Sequence, residues 1–186
     1  LRQTCIRQRR RGIDAVVFAP AFRGSPAHEI DAVPVYRFRY FLKNFETLTH
    51  DEGAPNKIHK FHYKIISVFY ILSGMLRLIR LHRRERFDIL HVHWPFPHGL
   101  SGIAARWFTP AKIVLTFYGA DLLLMRRFGF VKAFLDWFIR AADAVIAISS
   151  FTATEVTTIR DCNVDIIPYG TTISARRPDS TPVENG

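Results

Sequence analysis

The sequence predicts an α/β domain built on a doubly wound parallel sheet. From residue 87 onward, short apolar strands alternate with helical segments, a pattern typical of a parallel sheet covered by helices on both faces. The strands of this part are predicted at 87–93 (FDILHVH), 111–117 (AKIVLTF), 143–149 (DAVIAIS) and 164–168 (VDIIP). With 186 residues, 48% of them hydrophobic, the chain is long enough for one domain with a sizeable core.

The remaining elements follow from the same periodicities. Two further strands are predicted, one in the apolar run IDAVVFAP (13–20) and one in VPVYRFRYF (33–41), where apolar residues alternate. Helices are predicted at 1–11, 60–84, 98–108, 130–142 and from Ser150 onward. At the start of the last helix, Thr152 and Glu155 have the spacing of a capping box.

The composition favours a cytoplasmic protein. The two cysteines, Cys5 and Cys162, lie far apart in sequence, so no disulfide framework is expected. The longest apolar run, 65–76, is shorter than the roughly 20 residues that a membrane-spanning helix needs. The opening segment lacks the apolar stretch of a signal peptide. Because it begins with Leu instead of Met, we expect the natural chain to start further upstream.

The positive charge lies in the first half of the chain. Residues 1–86 hold 17 Lys and Arg against 7 Asp and Glu, which accounts for the whole net charge of +10. The densest clusters are 7–11 and 77–86. Such a basic face is either solvated or meets an anionic membrane surface, which would place the protein at the inner leaflet. Nucleic acid is not an expected partner, because no reader motif accompanies the clusters.

Hydrogen-bonding side chains gather where the predicted strands end. In open α/β sheets, ligands bind outside the carboxyl ends of the strands. The first strand of the regular part ends in His91 and His93, and His98 follows after a Pro-rich turn. Three interpretations compete for these histidines: a metal site, a packed and hydrogen-bonded corner, or contact with a substrate. No acidic or thiolate ligand is near in sequence, so we predict no metal, and His93 is the strongest candidate because it lies nearest the strand end.

The other strand ends supply the remaining candidates. Gly119 permits a tight turn and close approach of a ligand, and Asp121 either caps the next helix or accepts a hydrogen bond from a hydroxyl group of a ligand. The other candidate substrate-binding residues are Ser149, Ser150 and Gly170 at later strand ends, and Glu46 and His50 in the polar loop 46–56. For both serines, helix capping is the competing interpretation.

Four motifs at successive strand ends resemble one known family. They are HVHWPFPHGLSGIAARW, KIVLTFYGAD, AADAVIAISSFTATEV and VDIIPYGTT. In order and spacing they resemble the N-terminal domain of retaining glycosyltransferases of family 4, which have the two-domain GT-B fold. The resemblance implies that residues 1–172 form a Rossmann-like, acceptor-side domain and that 173–186 begin the interdomain linker. It also implies transfer of a sugar from a nucleotide-sugar co-substrate to a hydroxyl acceptor, with no cofactor.

The sequence also departs from the family pattern. Tyr118 stands where the family usually has a histidine that contacts the donor sugar, which makes Tyr118 and His93 the candidate catalytic residues. The first strand of the family and the second, donor-binding domain are missing, so we expect an interrupted sheet and no activity from this chain alone. Alternatives are a GT-B sugar-nucleotide epimerase, a phosphorylase, or a non-catalytic membrane-docking subunit. A dehydrogenase is not expected, because no strand is followed by G-x-G-x-x-G.

Overall fold

A computed structural model describes residues 2–48 and 61–168 of the chain. The helices are α1 (Arg2–Arg10), α2 (Phe61–Glu85), α3 (Pro95–Phe108), α4 (Ala120–Arg127), α5 (Phe130–Ala141) and α6 (Ser150–Ile159). The strands are β1 (Val17–Pro20), β2 (His28–Ile30), β3 (Val33–Phe38), β4 (Ile89–His93), β5 (Lys112–Phe117), β6 (Ala144–Ala147) and β7 (Asp165–Ile166). A short 3₁₀ helix, Lys43–Phe45, follows β3.

The predicted α/β class is confirmed. Strands β4, β5, β6 and β7 form a four-stranded sheet in that order, and every pair in it is parallel. The helices between them complete the alternation of strand and helix that the sequence predicts. The strands β1, β3 and β2 form a second sheet, in which β1 and β3 are also parallel.

Strand β2 was not predicted. It pairs antiparallel with β3 through a hairpin whose two connecting residues, Asp31 and Ala32, have φ of 51° and 62°. Two successive residues with positive φ match the right-handed twist of a tight hairpin, which usually selects Asn-Gly or Asp-Gly. The sequence Asp-Ala lacks that glycine, so the turn had no clear signal.

Within the described residues, β1 and β4 belong to two separate sheets. Strand β1 pairs only with β3 and β4 pairs only with β5, so within the described residues each has one open edge. Helix α2 joins the two sheets, because it packs against β1 and β3 on one side and along α3 on the other. An open edge exposes unpaired backbone N–H and C=O groups.

The larger core lies between the four-stranded sheet and its helices. Strand β5 is central in that sheet, and its residues Ile113, Leu115 and Phe117 have no exposed surface. Helix α5 covers them with Leu135 and Phe138, which recur at helical spacing on one face. A smaller core, around Phe38, Tyr40, Leu48, Ile66 and Tyr70, holds α2 against β3.

Two glycines let α3 lie close to its neighbours. A Cβ on Gly102 would stand 2.9 Å from Cγ2 of Val92 in β4. A Cβ on Gly99 would stand 2.7 Å from the Phe138 ring. Real Cβ atoms are not found that close to other carbons, so Gly102 fixes the distance of α3 from the sheet and Gly99 fixes its distance from α5. These distances position the first turn of α3, which carries His98, at the end of β4.

Candidate functional site

The end of β4 carries the predicted pair of histidines. His91 and His93 point to the same side of the strand and stack, with ring centroids 4.2 Å apart. Nε2 of His91 lies 2.7 Å from Oγ1 of Thr116 in β5. Nδ1 of His93 forms a short hydrogen bond with the Tyr118 hydroxyl, directly after β5. The ends of two neighbouring strands are therefore joined by side chains.

The pKa of His93 is lowered to about 4. Burial of the ring is the main cause, and the neighbouring His91 and His98 add to it, because a second positive charge there would be repelled. At neutral pH the His93 imidazole is therefore uncharged. It acts as a hydrogen-bonding group in contact with a phenol.

His98 belongs to a packed corner. Its Nδ1 lies 3.0 Å from the carbonyl oxygen of Trp94 and 3.2 Å from that of His93. Carbonyl oxygens only accept, so Nδ1 carries the proton and Nε2 accepts from the Tyr70 hydroxyl at 2.9 Å. Both ring nitrogens are thus used within the protein, which favours the packed-corner interpretation for this histidine.

Trp94 is a site residue that the sequence analysis did not include. It follows β4 with φ of 57° and ψ of 81°, a left-handed conformation that is uncommon for a bulky residue. Its side chain is 53% exposed and meets the Tyr118 ring edge-on at 6.3 Å. Strained residues of this kind cluster at ligand sites. The available signal was an aromatic residue placed between a strand end and a proline.

Gly119 and Asp121 shape the loop after β5. Gly119 has φ of 87°, which only glycine adopts without strain, and nothing lies within 4 Å of the position a Cβ would take. The predicted capping role of Asp121 is wrong, because the N-cap of α4 is Gly119 and no side chain bonds there. The Asp121 carboxylate instead accepts from the backbone N–H groups of Tyr118 and Phe96, each at 3.4 Å.

Through these two hydrogen bonds Asp121 connects the segment after β4 to the segment after β5. The side chain is buried, with 3% of its surface exposed, so it is not accessible to a bound sugar. Burial raises the pKa of its carboxyl to about 6, against the opposing effect of the backbone hydrogen bonds. The group is ionised at neutral pH and approaches half-protonation in mild acid.

Ser149 is a helix cap, which was the alternative to substrate binding for this residue. It is the N-cap of α6, and its Oγ accepts from the backbone N–H of Thr152 at 3.2 Å. The predicted capping box is wrong by one turn, because Thr152 lies inside the helix and Glu155 pairs with Arg126 at 2.6 Å. Ser150, the first residue of α6, is exposed beside the same strand end.

Glu46 does not face a substrate. It has no exposed surface, and both its oxygens are used: Oε2 accepts from the Gly24 backbone N–H at 2.8 Å. Oε1 accepts from Arg39 at 2.5 Å and from the Tyr40 backbone at 3.1 Å. The prediction that Glu46 contacts a substrate is wrong. Its carboxylate instead connects the backbone at Gly24 to Arg39 and Tyr40 and so acts as a brace between loops. His50 and Gly170 lie outside the described residues.

The remaining candidates lie along one edge of the four-stranded sheet. In the parallel register His93 stands opposite Thr116, and Phe117 stands opposite Ala147. Trp94 and Tyr118 follow the ends of β4 and β5 directly, and the cap Ser149 comes two residues after the end of β6. We call the surface formed by His93, Trp94, Tyr118 and Gly119 the rim. Within residues 2–48 and 61–168, no three His, Cys, Asp or Glu side chains are grouped as metal ligands.

The rim offers a neutral imidazole, a phenol and an exposed indole ring beside an unobstructed glycine. Neutral donors and acceptors beside an aromatic face suit a polyhydroxylated ligand, because hydroxyl groups bond to the polar atoms while the sugar ring packs on the aromatic surface.

Comparison with known proteins agrees with this geometry. The family model of glycosyltransferase family 4 matches residues 1–174. The N-acetyl-alpha-D-glucosaminyl L-malate synthase of Bacillus anthracis is 26% identical over 148 residues, which cover 78% of this chain and 37% of that relative. The chain thus spans less than half the length of the curated relative that it matches. The strand-end motifs, the parallel α/β fold and the extent of the family match together show that this chain belongs to glycosyltransferase family 4.

Proposed function

We propose that this chain forms the acceptor-side half of an enzyme that transfers a hexose-type sugar from a nucleotide-sugar donor to a hydroxyl acceptor, with retention of configuration. In that reaction the bond from the anomeric carbon to the donor phosphate breaks, and a bond from the acceptor oxygen to that carbon forms. The acceptor hydroxyl gives up its proton to an oxygen of the departing phosphate. Family membership supports glycosyl transfer, and the name of the Bacillus anthracis relative describes a product with an N-acetylglucosaminyl group.

The observation that carries the proposal is the hydrogen-bonded pair of His93 and Tyr118 beside Trp94. The lowered pKa of His93 keeps its ring neutral, so it positions a hydroxyl or phosphate oxygen through a hydrogen bond and not through charge. A phenol ordinarily titrates near pH 10, so a tyrosine at this position serves as a hydrogen-bond donor and not as a base at neutral pH. Both residues act by positioning and by stabilising charge on the departing phosphate.

The proposal assigns the rest of the reaction to a second domain. That domain would bind most of the nucleotide sugar, with residues 173–186 leading towards it, and no cofactor besides the donor would take part. Residues 1–186 alone are expected to show no transfer. The complete enzyme would work in the cytoplasm, where nucleotide sugars are available as co-substrates.

The test uses the full-length enzyme and a panel of nucleotide sugars, with release of the nucleotide and formation of the glycoside as readouts. Replacing Tyr118 by Phe removes only the hydroxyl, and replacing it by Ala removes the ring as well. We expect His93→Ala and Tyr118→Ala each to lower kcat by about 100-fold, the size of effect that losing one stabilising contact has in other enzymes.

Matched controls are His28→Ala and Tyr36→Phe in the other sheet, which should leave kcat within about twofold of the parent. Unchanged kcat in the His93 and Tyr118 variants would overturn their assignment. Two other results would overturn the transferase proposal. One is an epimerised nucleotide sugar as the product, and the other is turnover only with inorganic phosphate.

A further inference from the structure

Helix α2 is apolar on two opposite faces. Its inward face carries Ile66, Tyr70 and Gly74, which are buried against the smaller core and α3. A helix that packs on one side only normally turns charged and polar residues to the other side. Helix α2 does not follow that pattern.

The opposite face carries what we call the outward stripe. Its members recur at spacings of three and four residues along one line of the helix: Phe61, Ile65, Val68, Leu72 and Leu76. Each of these side chains is between 43% and 76% exposed. A contiguous apolar surface of this length on a folded protein marks a contact with another molecule or with a membrane.

The outward stripe continues onto the neighbouring loop. Phe69 lies next to the stripe and packs on Phe41, with ring centroids 5.5 Å apart. Phe41 in turn meets Phe45 of the 3₁₀ helix at 6.0 Å, and both Phe45 and Leu42 are exposed. The apolar surface therefore extends beyond one helix to the loop that Glu46 braces.

Beyond Leu76, arginines occupy the same face of the helix as the outward stripe. Arg80 and Arg83 follow Leu76 by four and seven residues, so they lie on the outward face. Arg77 follows Tyr70 by seven residues, so it lies to one side of that face, where it is exposed. The Arg83 guanidinium lies 5.9 Å from the centre of the exposed Phe108 ring. No carboxylate in the described parts of the chain pairs with these three arginines, and residues 61–84 contain no Asp or Glu.

We propose that the outward stripe and the arginines Arg80 and Arg83 form a docking surface for an anionic lipid bilayer. The apolar side chains enter the boundary between headgroups and acyl chains, and the arginines bind lipid phosphates. The partner is the inner leaflet, because the nucleotide sugars assigned to this enzyme under the proposed function are cytoplasmic.

The helix lies flat on the bilayer. By length and composition alone, α2 is apolar enough to cross a membrane, a criterion that the run 65–76 did not meet in the sequence. Its inward face, however, is packed on β3 and α3, so it is not free to leave the domain. A flat helix with one buried protein face and one lipid face satisfies both observations.

Charge favours lipid over protein as the occupant. A second copy of this chain, packed through the same helix face, would offer these arginines no carboxylate, because residues 61–84 contain no Asp or Glu. An anionic leaflet supplies phosphate to every arginine at once. Each basic residue near such a surface contributes about 1 kcal/mol of binding free energy, and the stripe adds the hydrophobic part.

The test measures sedimentation of the full-length enzyme with vesicles of phosphatidylcholine alone or with 30% phosphatidylglycerol. The apolar variant Leu72→Gln with Leu76→Gln changes exposed positions, so folding is unaffected. We expect the parent to bind the anionic vesicles and this variant to bind them more than tenfold more weakly. The matched control is Ile166→Gln with Ile167→Gln, two exposed positions far along the chain, which should change the Kd less than twofold.

The charge variant is Arg80→Gln with Arg83→Gln, and its control is Arg10→Gln with Arg11→Gln, which removes the same charge from the other basic cluster. Two lost arginines are expected to weaken binding roughly 30-fold at 0.1 M salt, and 0.5 M salt should reduce the binding of the parent strongly. The control pair should retain most of the affinity.

Several results would overturn the proposal. They are the absence of vesicle binding, binding that ignores lipid charge, equal losses in test and control variants, and a parent dimer that the Leu72 and Leu76 changes convert to a monomer without affecting vesicle binding. Sugar transfer to a water-soluble acceptor is measured in parallel. Loss of vesicle binding with intact transfer separates this surface from the rim, so failure of either proposal is seen independently.

Discussion

Tyr70 in α2 donates a hydrogen bond of 2.9 Å to Nε2 of His98 in α3, and this bond joins the helix with the outward stripe to the corner behind the rim. Nδ1 of the same imidazole donates to the carbonyl groups at the end of β4. Burial raises the pKa of Tyr70 and lowers that of His98, so both groups are neutral at pH 7. One neutral hydrogen-bonded unit therefore runs from α2 to the backbone of Trp94.

Replacing Tyr70 by Phe tests this connection. The variant leaves the buried Nε2 of His98 without its donor, which should cost about 1–2 kcal/mol in the free energy of unfolding. Because His98 holds the backbone of His93 and Trp94, we also expect kcat to fall several-fold while the KM for the acceptor changes less. Urea unfolding and steady-state kinetics of the full-length enzyme measure the two effects.

The matched control is Tyr63→Phe, two helical turns earlier on the same side of α2. The Tyr63 hydroxyl lies 3.4 Å from Oγ1 of Thr47, which is at the long limit of a hydrogen bond. Its loss should cost less stability than that of Tyr70 and leave kcat unchanged. If both variants behaved alike, the link from Tyr70 to the rim would have no functional part.

Glu46 provides a second test because its buried carboxylate holds three donors. Glu46→Ala leaves the backbone N–H groups of Gly24 and Tyr40 and the Arg39 side chain without an acceptor. We expect a loss of about 3–5 kcal/mol, the range found when one partner of a buried charge pair is removed. Differential scanning calorimetry of the parent and the variant measures it as a lower melting temperature.

Arg39→Ala is the companion variant. The Arg39 side chain is about half exposed, and Glu46 keeps both backbone donors when it is removed, so about 1 kcal/mol is expected. A larger loss of stability in Glu46→Ala than in Arg39→Ala would show that the carboxylate acts mainly on the backbone N–H groups, and not as one half of a surface ion pair. Equal losses in the two variants would contradict the bracing role of Glu46.

The sequence predicted the parts of the fold and site that depend on periodicity. Strands β4, β5 and β6 are short apolar runs between helical segments, so the positions of their carboxyl ends followed from the alternation. His93 was a candidate because it lies nearest a strand end, and Tyr118 became one through the resemblance to the family. The strand ends themselves are set by local sequence and by the way parallel sheets are built.

The remainder depended on contacts between distant residues. Glu46 looked like a loop carboxylate, but its partners Gly24 and Arg39 lie far enough away in sequence that no local pattern connects them. The left-handed backbone of Trp94 has no signature in a residue that normally avoids it. The outward stripe of α2 was hidden in the helical spacing, because periodicity shows that a face is apolar but not which side packs on the core.

The acid stability of the protein tests the burial of His93. The ring titrates near pH 6.5 when unfolded and near pH 4 when folded. The unfolded chain therefore binds a proton first as the pH falls, and the folded state loses stability between pH 6.5 and 4. This lowering of the His93 pKa corresponds to a loss of at most about 3 kcal/mol in the free energy of unfolding. His93→Gln removes this titration, so the urea midpoint at pH 4.5, relative to that at pH 7, should be higher in the variant than in the parent. If the difference between the two midpoints were the same in the variant and the parent, the His93 ring would be exposed to solvent in the folded protein.

Asp121 should act in the opposite direction over the same range. Its carboxyl titrates near pH 3.8 when unfolded and near pH 6 when folded, so the folded state holds the proton more tightly. The stability it contributes is complete below pH 3.8 and is lost as the pH rises through 6, a difference of about 3 kcal/mol. In the parent this effect offsets that of His93, because both groups lie at the same corner.

The two variants together make the cancellation visible. In Asp121→Asn only the His93 effect remains, so we expect the midpoint of urea unfolding to rise more steeply from pH 4 to 6.5 than in the parent. In His93→Gln only the Asp121 effect remains, so the same interval should be flat or slope downward. The pH titration of the two single variants measures slopes of opposite sign relative to the parent. Slopes of the same sign would show that one of the two side chains is not buried at the corner between β4 and β5, and that the rim is not built as described.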